Sequence, residues 1–150
     1  DARHPELLTA VTEEVAERRG LRPRDLTGLL WALARLRAED AGSLGRLLAR
    51  HVPPSLQGWS PRDVSTLAWA VARLREAVPG QEPIFRAVES AAIGRLRDFS
   101  PQDLANLAWA SARSGGRQLR LLEAAARAAE GRLQDFSLQE LCNLLWACAA

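Results

Sequence analysis

Hydrophobic residues recur along this chain in short blocks with a helical spacing, and several of these blocks are closely related. In the block FSPQDLANLAWASAR, the small and apolar residues on one side of the predicted helix are Leu104, Leu107, Ala108 and Ser111. The block WSPRDVSTLAWAVAR repeats this arrangement with Val64, Leu67, Ala68 and Val71. A one-sided pattern of this kind predicts amphipathic helices, each with one face in a core.

The related blocks, which we call the signature segments, recur at a nearly constant interval. Two further copies are LRPRDLTGLLWALAR, at 21–35, and FSLQELCNLLWACAA, at 136–150. The tryptophans of the four copies are Trp31, Trp69, Trp109 and Trp146, and successive ones are 38, 40 and 37 residues apart. Self-similarity at this interval indicates a repeat architecture.

The start of each signature helix is specified by local chemistry. In the third copy, Ser100 is suited to cap the helix, Pro101 to occupy its first position, and Asp103 to complete a capping box. The first copy has Arg22 in place of the serine, and the fourth has Leu138 in place of the proline. We expect these helices to end near Arg37, Arg75, Ser114 and Ala150.

Segments with helical periodicity also lie between the signature helices, at 5–19, 43–51, 83–97 and 117–133. Pairs of short amphipathic helices cannot bury their apolar faces alone, so they must stack. We therefore predict an all-α fold, an α-solenoid of antiparallel helix pairs with a period of 37–40 residues. The expected organisation is one helical-repeat domain over 1–150, a fragment of a longer array, with units 1–20 (partial), 21–58, 59–98, 99–135 and 136–150 (partial).

Polar residues occupy the opposite side of every signature helix and form a stripe. One position of the stripe holds Arg24, Arg62, Gln102 and Gln139, and the next holds Gly28, Thr66, Asn106 and Asn143. A third position holds Arg35, Arg73 and Arg113. Stacked repeats would align these stripes into a ladder, and a constant scaffold with variable polar positions suits a modular reader of a polymer. The alternative is that these positions face solvent and vary without constraint.

The tryptophans allow two interpretations. Trp109 projects beside the polar stripe, where it could stack on a nucleobase. It could instead pack between repeats, because alanines adjoin the tryptophans in several copies and leave room for a large ring. We predict packing between repeats as the role of all four, since aromatic residues at helical spacing usually belong to the core.

Composition narrows the possible chemistry. All 20 basic residues are arginines, against 18 carboxylates, which gives a net charge of +2. The absence of lysine excludes from this chain a Walker-type phosphate lysine, a Schiff-base lysine and a kinase-type lysine. The arginine excess is typical of a GC-rich genome, and arginine also suits phosphate and base recognition.

No catalytic or metal-binding motif is evident. His4 and His51 have no partner at ligand spacing. Cys142 and Cys148 are too few for a disulfide framework, and we expect them to be reduced and buried. We therefore predict no enzyme activity, no metal, no cofactor, no small-molecule substrate and no membrane span.

The recurring SPQDLANLAWASAR motif resembles that of the octotricopeptide repeat family and, through a similar helix, the heptatricopeptide repeats that accompany RAP domains. The resemblance covers nearly the whole chain. It implies an α-solenoid that binds single-stranded RNA in a chloroplast or mitochondrion and supports transcript processing, stability or translation. The stripe residues would then contact bases and phosphates. The alternative is a scaffold for protein partners, or an architectural subunit of a large organellar assembly such as a mitochondrial ribosome.

Overall fold

The structure of the protein is a computed structural model that describes residues 4–115 and 118–150. Within these residues the α-helices are α1 (Pro5–Glu17), α2 (Pro23–Arg35), α3 (Ala41–His51), α4 (Pro61–Arg73), α5 (Glu82–Ala92), α6 (Pro101–Arg113), α7 (Leu119–Glu130) and α8 (Leu138–Ala149). Two 3-10 helices, Ile93–Asp98 and Leu133–Asp135, follow α5 and α7. The residues at 1–3 of the first predicted unit, and the predicted helix start at Arg117, lie outside the described residues.

The helices α2, α4, α6 and α8 are the signature helices, and their starts follow the predicted capping chemistry. Ser100 Oγ accepts a hydrogen bond from the amide of Asp103 at 3.2 Å, and the Ser100 amide donates to Asp103 Oδ2 at 3.1 Å. Ser137 and Glu140 form the same capping box at α8. The prediction that these residues begin the helices is confirmed.

The first copy, which lacks the capping serine, uses an ion pair in its place. Arg22 Nε donates to Asp25 Oδ2 at 2.8 Å, and Arg22 Nη2 donates to Asp25 Oδ1 at 3.1 Å. This bidentate hydrogen-bonded contact lowers the pKa of Asp25 and raises the pKa of Arg22. The arginine therefore orients the first-turn carboxylate of α2 from outside the helix.

We expect Arg22→Ala to raise the pKa of Asp25 toward its ordinary value of about 3.9. Because the folded-state pKa is lowered, the contribution of this pair to stability is present above the unfolded pKa and is lost as pH falls through the folded pKa. The stability difference between wild type and variant should therefore be constant above about pH 5 and shrink below about pH 4. An NMR titration of the carboxyl groups measures the shift. Asp40, whose pKa is lowered chiefly by a hydrogen bond from Ser43, is the control and should not change.

Several helices are shorter than predicted. The signature helices α2, α4 and α6 end at Arg35, Arg73 and Arg113, one or two residues early. After α2 the chain turns at Arg37, whose φ is +54°, and after α4 the Nη1 atom of Arg75 donates to the backbone carbonyl of Arg113 at 2.7 Å. The predicted helix at 83–97 likewise ends early as an α-helix, since its last five residues, 93–97, belong to a 3-10 helix.

The signature helices form one layer of the fold, in which α2, α4, α6 and α8 pack successively against one another. The other helices form a second layer, with α5 against α4, α7 against α6, and α1 against α3. The predicted core positions of the third and second copies are all buried: Leu104, Leu107, Ala108, Ser111, Val64, Leu67, Ala68 and Val71. The predicted all-α class, an α-solenoid of stacked helices, is confirmed.

Two arginines of the second layer connect the end of a repeat to the start of the same repeat. Arg95 donates from Nε to the carbonyl of Ala91 at 2.9 Å and from Nη2 to the carbonyl of Trp59. Arg132 Nη1 donates to the carbonyl of Phe99 at 3.0 Å. Both arginines have extended φ values, −143° and −140°, where the chain leaves its α-helix. The breaks after α5 and α7 therefore place each arginine on the start of the preceding signature segment.

The prediction that Cys142 and Cys148 are buried is wrong, because both are free and exposed. Helix α8 packs chiefly against α6 and buries Leu144 and Ala147. The sides of α8 that carry the cysteines have no such cover. No helix in the described part of the chain is both long and apolar enough to cross a membrane.

Candidate functional site

A groove of about 760 Å³ runs across the layer of signature helices. Its lining includes the two predicted ladder positions of all four helices: Arg24, Arg62, Gln102, Gln139, Gly28, Thr66, Asn106 and Asn143. Arg35, from the third position of the stripe, also lines it. The alignment follows from the stacking, since residues four apart on one helix share a face and each helix repeats the register of its neighbour.

The other two arginines of the stripe, Arg73 and Arg113, are not among the described residues that line the groove. Arg73 is exposed at the end of α4. Arg113 is half-buried, and its guanidinium lies over the ring of Trp109, 5.8 Å from the ring centroid. These two residues therefore depart from the predicted ladder.

The floor of the groove contains hydrogen bonds between repeats, which we call clasps. In one clasp, Thr27 Oγ1 donates to Asp63 Oδ1 at 3.1 Å; in the other, Ser65 Oγ donates to Asp103 Oδ1 at 2.7 Å. Each acceptor is the third residue of the next signature helix. Its carboxylate therefore accepts hydrogen bonds both at the start of its own helix and from the preceding signature helix. The third copy has Ala105 at the donor position and cannot form a side-chain clasp.

The clasps were not predicted from the sequence, although a signal exists. A hydroxyl residue stands four positions after the first residue of α2 and of α4, as Thr27 and Ser65. A repeated G-R-L-x-D-F-S pattern, at 94–100 and 131–137, likewise marks the arginines that bond to the first residue of their own repeat. Both signals concern contacts about one repeat apart, which are recognised only when the units are aligned in register.

Charges of both signs line the groove. Its carboxylates are Asp63, Asp103 and Glu140, and its cations are Arg24, Arg35 and Arg62. The carboxylates lie in the first turns of α4, α6 and α8, where they accept hydrogen bonds and meet the positive ends of the helix dipoles. The guanidinium groups of Arg24 and Arg62 are on exposed residues. The carboxylates therefore take part in hydrogen bonds within the fold, whereas the side chains of Arg24 and Arg62 are accessible to a ligand.

The tryptophans form a row along the signature layer. The ring centroids of Trp69 and Trp109 are 6.0 Å apart, and those of Trp109 and Trp146 are 6.2 Å apart. Trp109 therefore packs between the rings of both neighbouring copies. Trp31 and Trp69 also line the groove. The row contributes to contacts between repeats and presents part of its surface to the groove.

Other side-chain chemistry is limited. Among residues 4–115 and 118–150, no cluster of three His, Cys, Asp or Glu side chains could hold a metal ion. His51 Nε2 lies 3.1 Å from the backbone carbonyl of Ala16, in the second layer.

The groove offers guanidinium, amide, hydroxyl and indole groups at regular intervals along one open surface. These groups bind phosphates, the edges of bases and the faces of aromatic rings. No protein-family model matches this chain, and no curated protein or solved structure matches it either.

Proposed function

We propose that this protein is a helical-repeat module that binds single-stranded RNA along the groove. Its cellular role would be the processing, stability or translation of organellar transcripts, in a chloroplast or mitochondrion, and it would not be an enzyme. The resemblance of the signature segments to octotricopeptide repeats supports the organellar part of this proposal. We infer that the chain is related to that family.

The observation that carries the proposal is the alignment of equivalent positions from four helices in one groove. At one position the side chain changes from Gly28 to Thr66, Asn106 and Asn143, and at the other from arginine to glutamine. Amide groups can donate to and accept from base edges, whereas arginines bind phosphates or bases. A groove of this kind would contact about one base per repeat, by analogy with other helical-repeat readers.

Binding of homopolymeric RNAs over a salt series tests the proposal. If Arg24, Arg35 and Arg62 each neutralise a phosphate, the slope of log affinity against log salt should be about −2, from about −0.7 per contact on single strands. Fluorescence anisotropy with labelled 12-nucleotide poly(U), poly(A) and poly(C) measures affinity and slope together. No binding at 20 mM salt, or a slope near zero, would contradict the proposal.

A second candidate function is a scaffold for protein partners within an organellar assembly. The observation in its favour is the small net charge of +2, which suits this function better than RNA binding. Failure of every RNA to bind at low salt would favour this candidate.

A further inference from the structure

The end of the groove formed by α2 differs from the rest. Gly28 occupies the position that holds Thr66, Asn106 and Asn143 in the other copies. A Cβ atom added at Gly28 would meet no atom within 4 Å outside its own helix backbone and chain neighbours. The groove therefore has open space beside α2 where the other signature helices present a side chain.

The ring of Trp31 borders this space. Trp31 is 48% exposed and lines the groove, whereas Trp69 and Trp109 are only partly exposed and pack together. Gly28 and Trp31 are three residues apart, so they share one face of α2. The Arg35 guanidinium lies over this ring, and the part of the indole surface that remains exposed can accept another flat ring.

Two cationic side chains lie near the Trp31 ring. Arg24 lies one helical turn before Gly28, and Arg35 lies one turn after Trp31, with its guanidinium 5.5 Å from the Trp31 ring centroid. Both arginines line the groove and are exposed. A ring bound against Trp31 would therefore have a positive charge on each side along the helix.

We propose that Trp31, Gly28, Arg24 and Arg35 form a stacking subsite that takes one nucleobase of any identity, with the two adjoining phosphates at the arginines. The inference rests on the proposed RNA binding and gives the copies of the repeat different roles in it. Gly28 has no side chain that could select a base, so the first copy anchors the strand. Thr66, Asn106 and Asn143 contact the bases that follow.

The other end of the tryptophan row lacks these features. Trp146 is 45% exposed, close to Trp31, but it is not among the residues that line the groove. Asn143 stands at the position of Gly28, and Ala150 stands at the position of Arg35. Trp146 therefore provides a matched control with similar exposure and without the subsite.

The test compares Trp31→Ala with Trp146→Ala by anisotropy with labelled 12-nucleotide poly(U) at 50 mM salt. Loss of base–tryptophan stacking should weaken binding about tenfold in Trp31→Ala. Trp146→Ala should change affinity by less than twofold, and Trp31→Phe, which keeps an aromatic face, should retain most of the wild-type affinity. Poly(A) and poly(C) should show the same loss in Trp31→Ala, because the subsite does not select a base.

The outcomes separate this inference from the proposed function. If wild type binds RNA and the two alanine variants bind equally, the subsite is wrong and RNA binding by the groove stands. If the loss in Trp31→Ala is confined to one homopolymer, the anchoring role is wrong and Trp31 selects a base. If wild type binds no RNA, both the subsite and the proposed function are wrong. If Trp31→Ala loses its helical circular dichroism, the RNA affinities of Trp31→Phe and Trp31→Leu are compared in its place. A higher affinity of Trp31→Phe shows that the subsite needs an aromatic face, and equal affinities show that it needs only a bulky side chain.

Discussion

Replacing Asp103 with alanine is expected to lower the free energy of unfolding by about 3 kcal/mol, because it removes the hydrogen bond between repeats and the bonds that the carboxylate accepts in the capping box. Asp103 is only 8% exposed and accepts from three donors, the Ser65 hydroxyl and the amide and hydroxyl of Ser100. The variant leaves the buried Ser65 hydroxyl without its cross-repeat acceptor and removes the capping box of α6. Urea denaturation followed by circular dichroism measures the loss.

The matched control is Glu140→Ala, which removes the equivalent carboxylate in the fourth copy. Glu140 completes a capping box with Ser137, but the preceding copy has Ala105 at the clasp position. The expected loss is therefore about 1 kcal/mol, that of the hydrogen bond which the carboxylate accepts in the capping box. Equal losses in Asp103→Ala and Glu140→Ala would contradict the role assigned to the clasp. A separate loss of about 1 kcal/mol in Ser65→Ala would support it.

Charge reversal in the groove is expected to have the largest effect on binding. The double variant Arg24→Glu/Arg62→Glu should lower RNA affinity at least about 100-fold at low salt, because two phosphate contacts become repulsions. Its salt slope should also be less steep, by about 1.4, at about 0.7 per lost contact on a single strand. Anisotropy with the homopolymers provides both values.

The control for charge is Arg86→Glu/Arg97→Glu, which changes the net charge by the same amount. Both arginines are exposed, lie on α5 and the 3-10 helix that follows it, and are not among the groove residues. The control should lose less than about fivefold in affinity, through the long-range potential alone. Equal losses in the two double variants would mean that RNA binds through overall charge and not through the groove.

The polar ladder shows how far the sequence leads toward the candidate site. Gln102 and Asn106 could be assigned to one face because they are four residues apart, and both line the groove. The sequence assigns Arg113 to the same side of the helix, but this residue is half-buried and is not among the groove residues, whereas the equivalent Arg35 is exposed and lines the groove. Helical periodicity gives the direction of a residue from the axis, whereas side-chain rotamers and helix ends depend on neighbours.

The clasps and the backbone contacts of Arg95 and Arg132 could not be predicted in the same way. Ser65 and Asp103 are 38 residues apart, and nothing local distinguishes Ser65 from any small residue on a buried face. The contacts of Arg95 and Arg132 could not be predicted because they require breaks after α5 and α7. The exposure of Cys142 and Cys148 could not be predicted for the same reason, since burial on α8 depends on which helices pack against it.

By itself the sequence determined the helix starts, the apolar faces and the interval at which the units repeat. These features depend on interactions within a few residues: a serine that caps, a proline that tolerates the first helical position, and apolar residues at helical spacing. Only the tertiary structure decided where the helices end, which arginines bond to the start of their own repeat and which line the groove, and how much of each tryptophan stays exposed. Those properties arise from contacts about one repeat away, and such contacts exist only after the helices have stacked.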